Sequence, residues 1–241
     1  MNNKTFSSPN ITINEWLLIN NISQAYDNWA LANETNHLEN YSLNETSLTD
    51  FLNDEQNVYR DLVLFFKQIP EFKQINIEDQ ILLIKCNITH LVHIHHILRD
   101  RFHEDPKIGL HMSKWINPDF HNQMSKNRRS LDYFIEHPIV LKLALVTFIF
   151  MINLSRLPFQ QLSFELNDQN LLIKHQNIFI TLLWKYLNVI YNEKDAIKAM
   201  QVIVFQYLRY QLLMDQMETV VTKQNKPEQF LPLTKSVLRL T

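Results

Sequence analysis

Histidine is the residue type whose spacing comes closest to chemistry in this sequence. His90, His93, His95 and His96 crowd one short stretch, and Arg99 follows them. A His-x-x-His pair at i, i+3 shares one helix face and has the reach of a metal-binding pair. No carboxylate or thiolate accompanies it in a recognisable ligand motif, so no metal or haem site is expected. Surface or hydrogen-bonded core histidines are the default. Cys86 is the single cysteine and has no motif around it. Intrachain disulfides and cysteine-rich zinc modules are therefore excluded. No Gly-x-Ser-x-Gly elbow and no phosphate-binding glycine loop occurs. Neither an enzyme nor a cofactor is expected.

Such residues need elements to hold them, and composition says which kind. Glycine occurs once, at Gly109, where average usage would give about 17. Tight hairpins need positive-φ positions, which fall mainly to Gly and Asn, so the chain reads as all-α. Hydrophobic residues make up 46% and charged ones 20%, enough for a buried core and against disorder. Twenty-three basic against 25 acidic residues leave a net charge of -2, which is no footprint for nucleic acid. No direct DNA contact is expected from this chain.

The opening MNNKTFSSPNITINEW lacks the apolar core of a signal peptide. The sequons at Asn10, Asn21, Asn44 and Asn87 are therefore read as chance. The longest apolar run, Leu143 to Ile152, is about half of the ~20 residues a span requires, so no membrane segment is expected. A soluble intracellular domain is the expectation.

Along the chain, residues 1–13 read as a flexible N-terminus and 14–241 as one domain, with no repeat or linker dividing it. A first helix runs from Ile13 to about Asn33, with Asn14 as its expected cap. Residues 33–50 read as a loop. A second helix follows to Ile69, where Pro70 stops it. Residues 77–102 form a helix apolar nearly all round, the mark of burial. Two prolines and Gly109 place a turn or small β-hairpin within 103–121. Helices are expected near 122–135, 138–154, 167–192 and 194–224, then a break at Lys226-Pro227 and a short amphipathic end.

One stretch is specific. Residues 64–85 read LFFKQIPEFKQINIEDQILLIK, and within them Phe66, Lys67, Ile69, Pro70, Phe72, Asp79, Gln80, Leu82, Leu83 and Lys85 stand at set spacings. This resembles the signature of nuclear-receptor ligand-binding domains. Asn14-Glu15-Trp16, Leu18-Ile19 and Ala25-Tyr26 look like that family's first helix, notably in its thyroid-hormone-receptor branch. Ser155-Arg156-Leu157-Pro158 loosely resembles a family turn, without its Asp or Gly. Leu208-Arg209 fits the long penultimate helix, and Pro227 to Leu238 is similar to the activation helix with Ser236 at its glutamate position.

The resemblance implies a three-layer helical sandwich of about 10–12 helices with a small β-turn near 103–121. It implies a transcription regulator of the nucleus, shuttling or not, that binds a small lipophilic ligand. It also implies partners: coactivator or corepressor helices, and a homo- or heterodimer with another receptor. Lys67, Gln80, Lys85 and Ser236 would flank the coregulator groove, with Ile81, Leu82 and Ile84 divided between groove and core. For Lys67, capping its own helix C-terminus is the competing role.

Leu62, Phe65, Val92, His95, Arg99, Met214 and Met217 would line the ligand pocket, and Asp215 stands where hormone receptors use a histidine. His95 and Arg99 fall where pocket arginines of the family meet an acidic ligand. Arg99 pairing with Glu104 or Asp105 is the alternative. Tyr207 and Leu208 would face a dimer partner. A ligand-independent domain whose pocket is filled by side chains is the other function open. A full receptor of this family also carries an upstream zinc-finger domain rich in cysteine. With Cys86 alone this chain is expected to lack one, as an excised fragment or as a receptor-like protein that never had it.

Overall fold

Short polar signals start the helices of this chain. A computed structural model describes residues 10–31, 42, 45–104, 106–151, 166–224 and 227–238. Helix α1 (Ile13–Ala25) begins at Thr12. The Thr12 hydroxyl accepts the Glu15 amide at 3.2 Å, and the Glu15 carboxylate accepts the Thr12 amide at 2.8 Å. This capping box displaces the expected cap: Asn14 lies inside the helix. Of the stretch 1–13 expected to be flexible, Thr12 and Ile13 form the start of α1, and residues 1–9 lie outside those described. A π-helical turn, Tyr26–Ala30, continues α1 and turns Tyr26 into the core.

Helix α2 (Leu48–Phe66) has the same kind of start, with Ser47 and Asp50 as reciprocal partners. It ends at Lys67 rather than Ile69. Pro70 instead opens the one-turn helix α3 (Pro70–Lys73), where its missing N–H leaves no bond unmade. Asn76 caps α4 (Ile77–Arg99), accepting the Glu78 amide at 2.8 Å.

The region 103–121 departs most from expectation. Among its described residues there is no β-hairpin, but helix α5 (Pro106–Trp115) and the start of α6 (Pro118–Ser130). Both prolines open helices, a placement proline favours, and the Asn117 side chain accepts the Phe120 amide at 2.7 Å. Gly109 is helical. A Cβ there would overlap the His121 ring, so it serves the close approach of α5 to α6. The left-handed positions fall instead to Arg101 (φ 50°) and Phe102 (φ 64°), just after α4.

A 3₁₀ turn, Leu131–Phe134, leads to α7 (Ile139–Ile149), whose residues Val140 to Ile149 are all buried. Helices α8 (Gln169–Ile190) and α9 (Glu193–Gln224) follow, then a 3₁₀ turn and α10 (Pro232–Val237). The Ser155–Pro158 turn, Asp105 and most of the 33–50 loop lie outside the described residues.

All secondary structure among the described residues is helical. Helix α4 packs between α2 and α9, and α7 packs against α4, α1 and α8. The order is thus three layers, with α4 and α7 in the middle. By length and composition α4 would cross a membrane, but 72% of its apolar window is buried inside the fold. Asp79 of the signature stretch binds the layers together. Its carboxylate accepts the Asn167 amide at 3.0 Å and the Asn167 side-chain amide at 3.0 Å, tying the start of α4 to that of α8.

Candidate functional site

Successive side chains on a helix turn by about 100°, so neighbours on α4 meet different partners. His95 points toward α1. Its Nδ1 and the Tyr26 hydroxyl are 2.7 Å apart in a buried hydrogen bond. Burial holds the His95 imidazole neutral, well below its usual pKa, and raises the Tyr26 phenol. His93 points toward α9, where its ring stacks on Tyr210 with centroids 4.3 Å apart and planes 10° from parallel. Burial pushes His93 down to about 3, helped by the nearby Arg128 charge. Its Nε2 is buried with no hydrogen-bond partner.

His93 lines a cavity of about 100 Å³ between α2, the C-terminal half of α4, α5, α6 and α9. Phe51 and Leu52 of α2, Val92 of α4, and four methionines form its apolar wall: Met112, Met124, Met214 and Met217. The opposite wall is charged and internally paired. Glu55 meets His96 Nε2 at 2.7 Å. Asp100 accepts from Arg99 Nε at 3.2 Å and from Arg128 Nη1 at 3.5 Å. Arg128 Nη2 also donates to the His103 carbonyl. Ser125 donates to Glu104 at 2.9 Å. Arg128 Nε is buried without a partner.

Of the expected pocket residues, Val92, Arg99, Met214 and Met217 line this cavity. Three do not. Leu62 and Phe65 are wholly buried in the core, and His95 faces Tyr26. Asp215 is exposed on α9, turned about 100° around the helix from the buried Met214. Arg99 pairs with a carboxylate, its neighbour Asp100 at 3.2 Å, while Glu104 accepts from Ser125 and Asp105 lies outside the described residues. Sequence reasoning did not select His93, His96, Glu55, Arg128 or Tyr210 as pocket residues. The spacing of Val92, His96 and Arg99 at i, i+4 and i+7 was the available signal for one face. Met112 was hidden by the expectation of a β-hairpin where α5 stands.

A second surface lies on α2, α4 and α10. Lys67 and Lys85 are exposed, and Ile77 and Ile81 precede Lys85 on the same face of α4, 61% and 46% exposed. Leu82 and Ile84 are half-buried. Gln80 is half-buried, and its side-chain amide donates to the Ile75 carbonyl at 2.7 Å. Helix α10 packs on α2 and α4. Asn53 donates to the Gln229 carbonyl at 2.9 Å and accepts the Leu231 amide at 2.8 Å, and Thr234 donates to the Leu52 carbonyl at 3.2 Å. Ser236 is exposed on α10. Along α2, Asn53 and Lys67 are roughly 21 Å apart at the helical rise of 1.5 Å per residue.

The proposed dimer pair divides. Tyr207 is buried, stacked on Phe148 at 4.3 Å with its hydroxyl 3.5 Å from Asn87 Oδ1, so it does not present itself to a partner. Leu208 is exposed, in line with Ile197, Val204 and Leu212 on α9. No group of three or more His, Cys, Asp or Glu residues among those described could hold a metal ion. No protein-family model matches the chain, and no curated protein matches it.

Proposed function

We propose that this chain is a nuclear-receptor-type ligand-binding domain, a regulator of transcription acting in the nucleus. In this reading the cavity takes a small lipophilic molecule, and α2, α4 and α10 display a groove for coregulator helices. The exposed α9 stripe around Leu208 serves pairing with a second receptor. The observation that carries the reading is the docking of α10 on Leu52 and Asn53 of α2, beside the cavity wall. Occupancy of the cavity would then bias how α10 packs, a population shift between two arrangements.

A bound LxxLL helix leaves its last carbonyls unpaired, and Lys67 and Lys85 are exposed where they would meet them. The N-terminal amides of such a helix call for a carboxylate, and α10 offers Ser236 there. Coactivator affinity should therefore be weak, and Ser236→Glu should strengthen it by roughly ten-fold. Titration of an LxxLL peptide against both proteins tests this. Equal affinity would show that α10 does not form the clamp.

A second reading is favoured by the cavity's size. Ligand pockets commonly measure roughly 300–1,000 Å³, against about 100 Å³ here. A domain whose pocket is largely filled by its own side chains, with α10 docked permanently, fits that volume. An acidic ligand fits neither reading well, because Asp100 already neutralises Arg99.

A further inference from the structure

We propose that the cavity selects a neutral molecule with a compact apolar body and one hydrogen-bond acceptor, and rejects a carboxylate. The inference rests on reading the cavity as a ligand site. Two guanidiniums face it, Arg99 and Arg128, but both already meet Asp100. Glu55 and Glu104 face it as well, so three carboxylates stand against two guanidiniums. An anion entering here must take the place of Asp100 and lie close to two further negative charges. A cation fares little better, because it meets the guanidiniums and finds Glu55 and Glu104 already bonded to His96 and Ser125.

What the wall lacks is an acceptor. Arg128 Nε is buried without a partner, and a guanidinium nitrogen can only donate. The His93 Nε2 is also buried without a partner, its ring lies near enough to feel the Arg128 charge, and a neutral imidazole nitrogen donates or accepts according to its tautomer. A buried donor without an acceptor is costly, so a carbonyl or amide oxygen placed here would satisfy a group the fold leaves unmet. The rest of the ligand would meet Met112, Met124, Met214 and Met217. Methionine is unbranched and changes rotamer readily, so this wall can open to admit a body larger than the resting volume.

Benzamide and benzoate form a matched pair for the test, equal in shape and different in charge at neutral pH. Ligand-observed NMR titration of the full chain should show saturable benzamide binding at millimolar concentration, with benzoate at least about ten-fold weaker. Met124→Trp, which fills the cavity from α6, should abolish benzamide binding while thermal melting shows the fold intact. Arg128→Met should weaken benzamide selectively, and His93→Phe provides a second variant should Arg128→Met fail to fold. Benzoate binding as tightly as benzamide would overturn the neutral preference and leave the ligand site standing. Saturable binding of neither probe would overturn both. Benzamide binding unchanged in Met124→Trp would place the site elsewhere.

Discussion

Two histidines two residues apart on α4 occupy sites of opposite character. His95 and His93 are both buried, and burial keeps both imidazoles neutral. Around His95 the structure is closed. Tyr26 completes its hydrogen bond at 2.7 Å, and Lys142 lies over the Tyr26 ring while bonded to Asp27 at 2.6 Å and Ser23 at 3.0 Å. Around His93 the structure stays open: a ring stacked on Tyr210, an Nε2 without a partner, and a cavity in front. Burial alone therefore does not mark a functional histidine. The distinguishing feature is unfilled hydrogen-bonding capacity beside unfilled volume.

Acid should have the largest effect, and it acts on both sites at once. Each imidazole titrates in the folded chain well below 6.5, His93 at about 3. Below about pH 6.5 the unfolded chain takes up protons that the folded chain refuses. Stability is thus complete above that pH and declines as pH falls below it, by up to about 1.4 kcal/mol per pH unit for each histidine, and for His93 down to about pH 3. Glu15 and Asp50, whose pKa values are lowered by hydrogen bonds, add their losses only below the ordinary carboxylate range. Denaturant midpoints followed from neutral pH into acid check this, and a flat profile would mean that both imidazoles titrate freely.

Tyr26→Phe should come next. It leaves the His95 Nδ1 buried with its partner gone, at a cost of about 1–3 kcal/mol in thermal or chemical unfolding. The smallest effect should come from His93→Phe. That change removes a nitrogen that has no partner and keeps the stack on Tyr210, so stability should shift by less than about 1 kcal/mol. It should also reduce the acid slope by one proton. A loss as large as that of Tyr26→Phe would show that His93 is as fully engaged as His95, and the contrast between the two sites would fail.

Some of this was legible in the chain and some was not, for reasons that differ by residue. The polar starts at Ser47 and Thr12 and the apolar run through α7 announce helices, because caps and periodicity involve residues within four positions of one another. Even there Asn14 was the expected cap, since single cap residues are common, whereas the reciprocal Glu15 makes Thr12 the cap. The stretch 103–121 misled because prolines and a glycine mark turns and helix starts alike. On α9, Tyr207 and Leu208 are adjacent, and only packing against Phe148 and Asn87 shows which is inside.

By itself the sequence determined that the chain is all-helical, roughly where its long helices lie, and that α4 is buried at the centre. Those follow from local hydrogen bonding, from helical periodicity and from the scarcity of glycine. Which way each polar residue of α4 faces was decided only by tertiary structure. A helix apolar all round has no face that its own pattern marks as inward. His95 finds its partner 69 residues away in Tyr26, and His93 finds its own on α9, so two residues with one local environment came to lie in different sites.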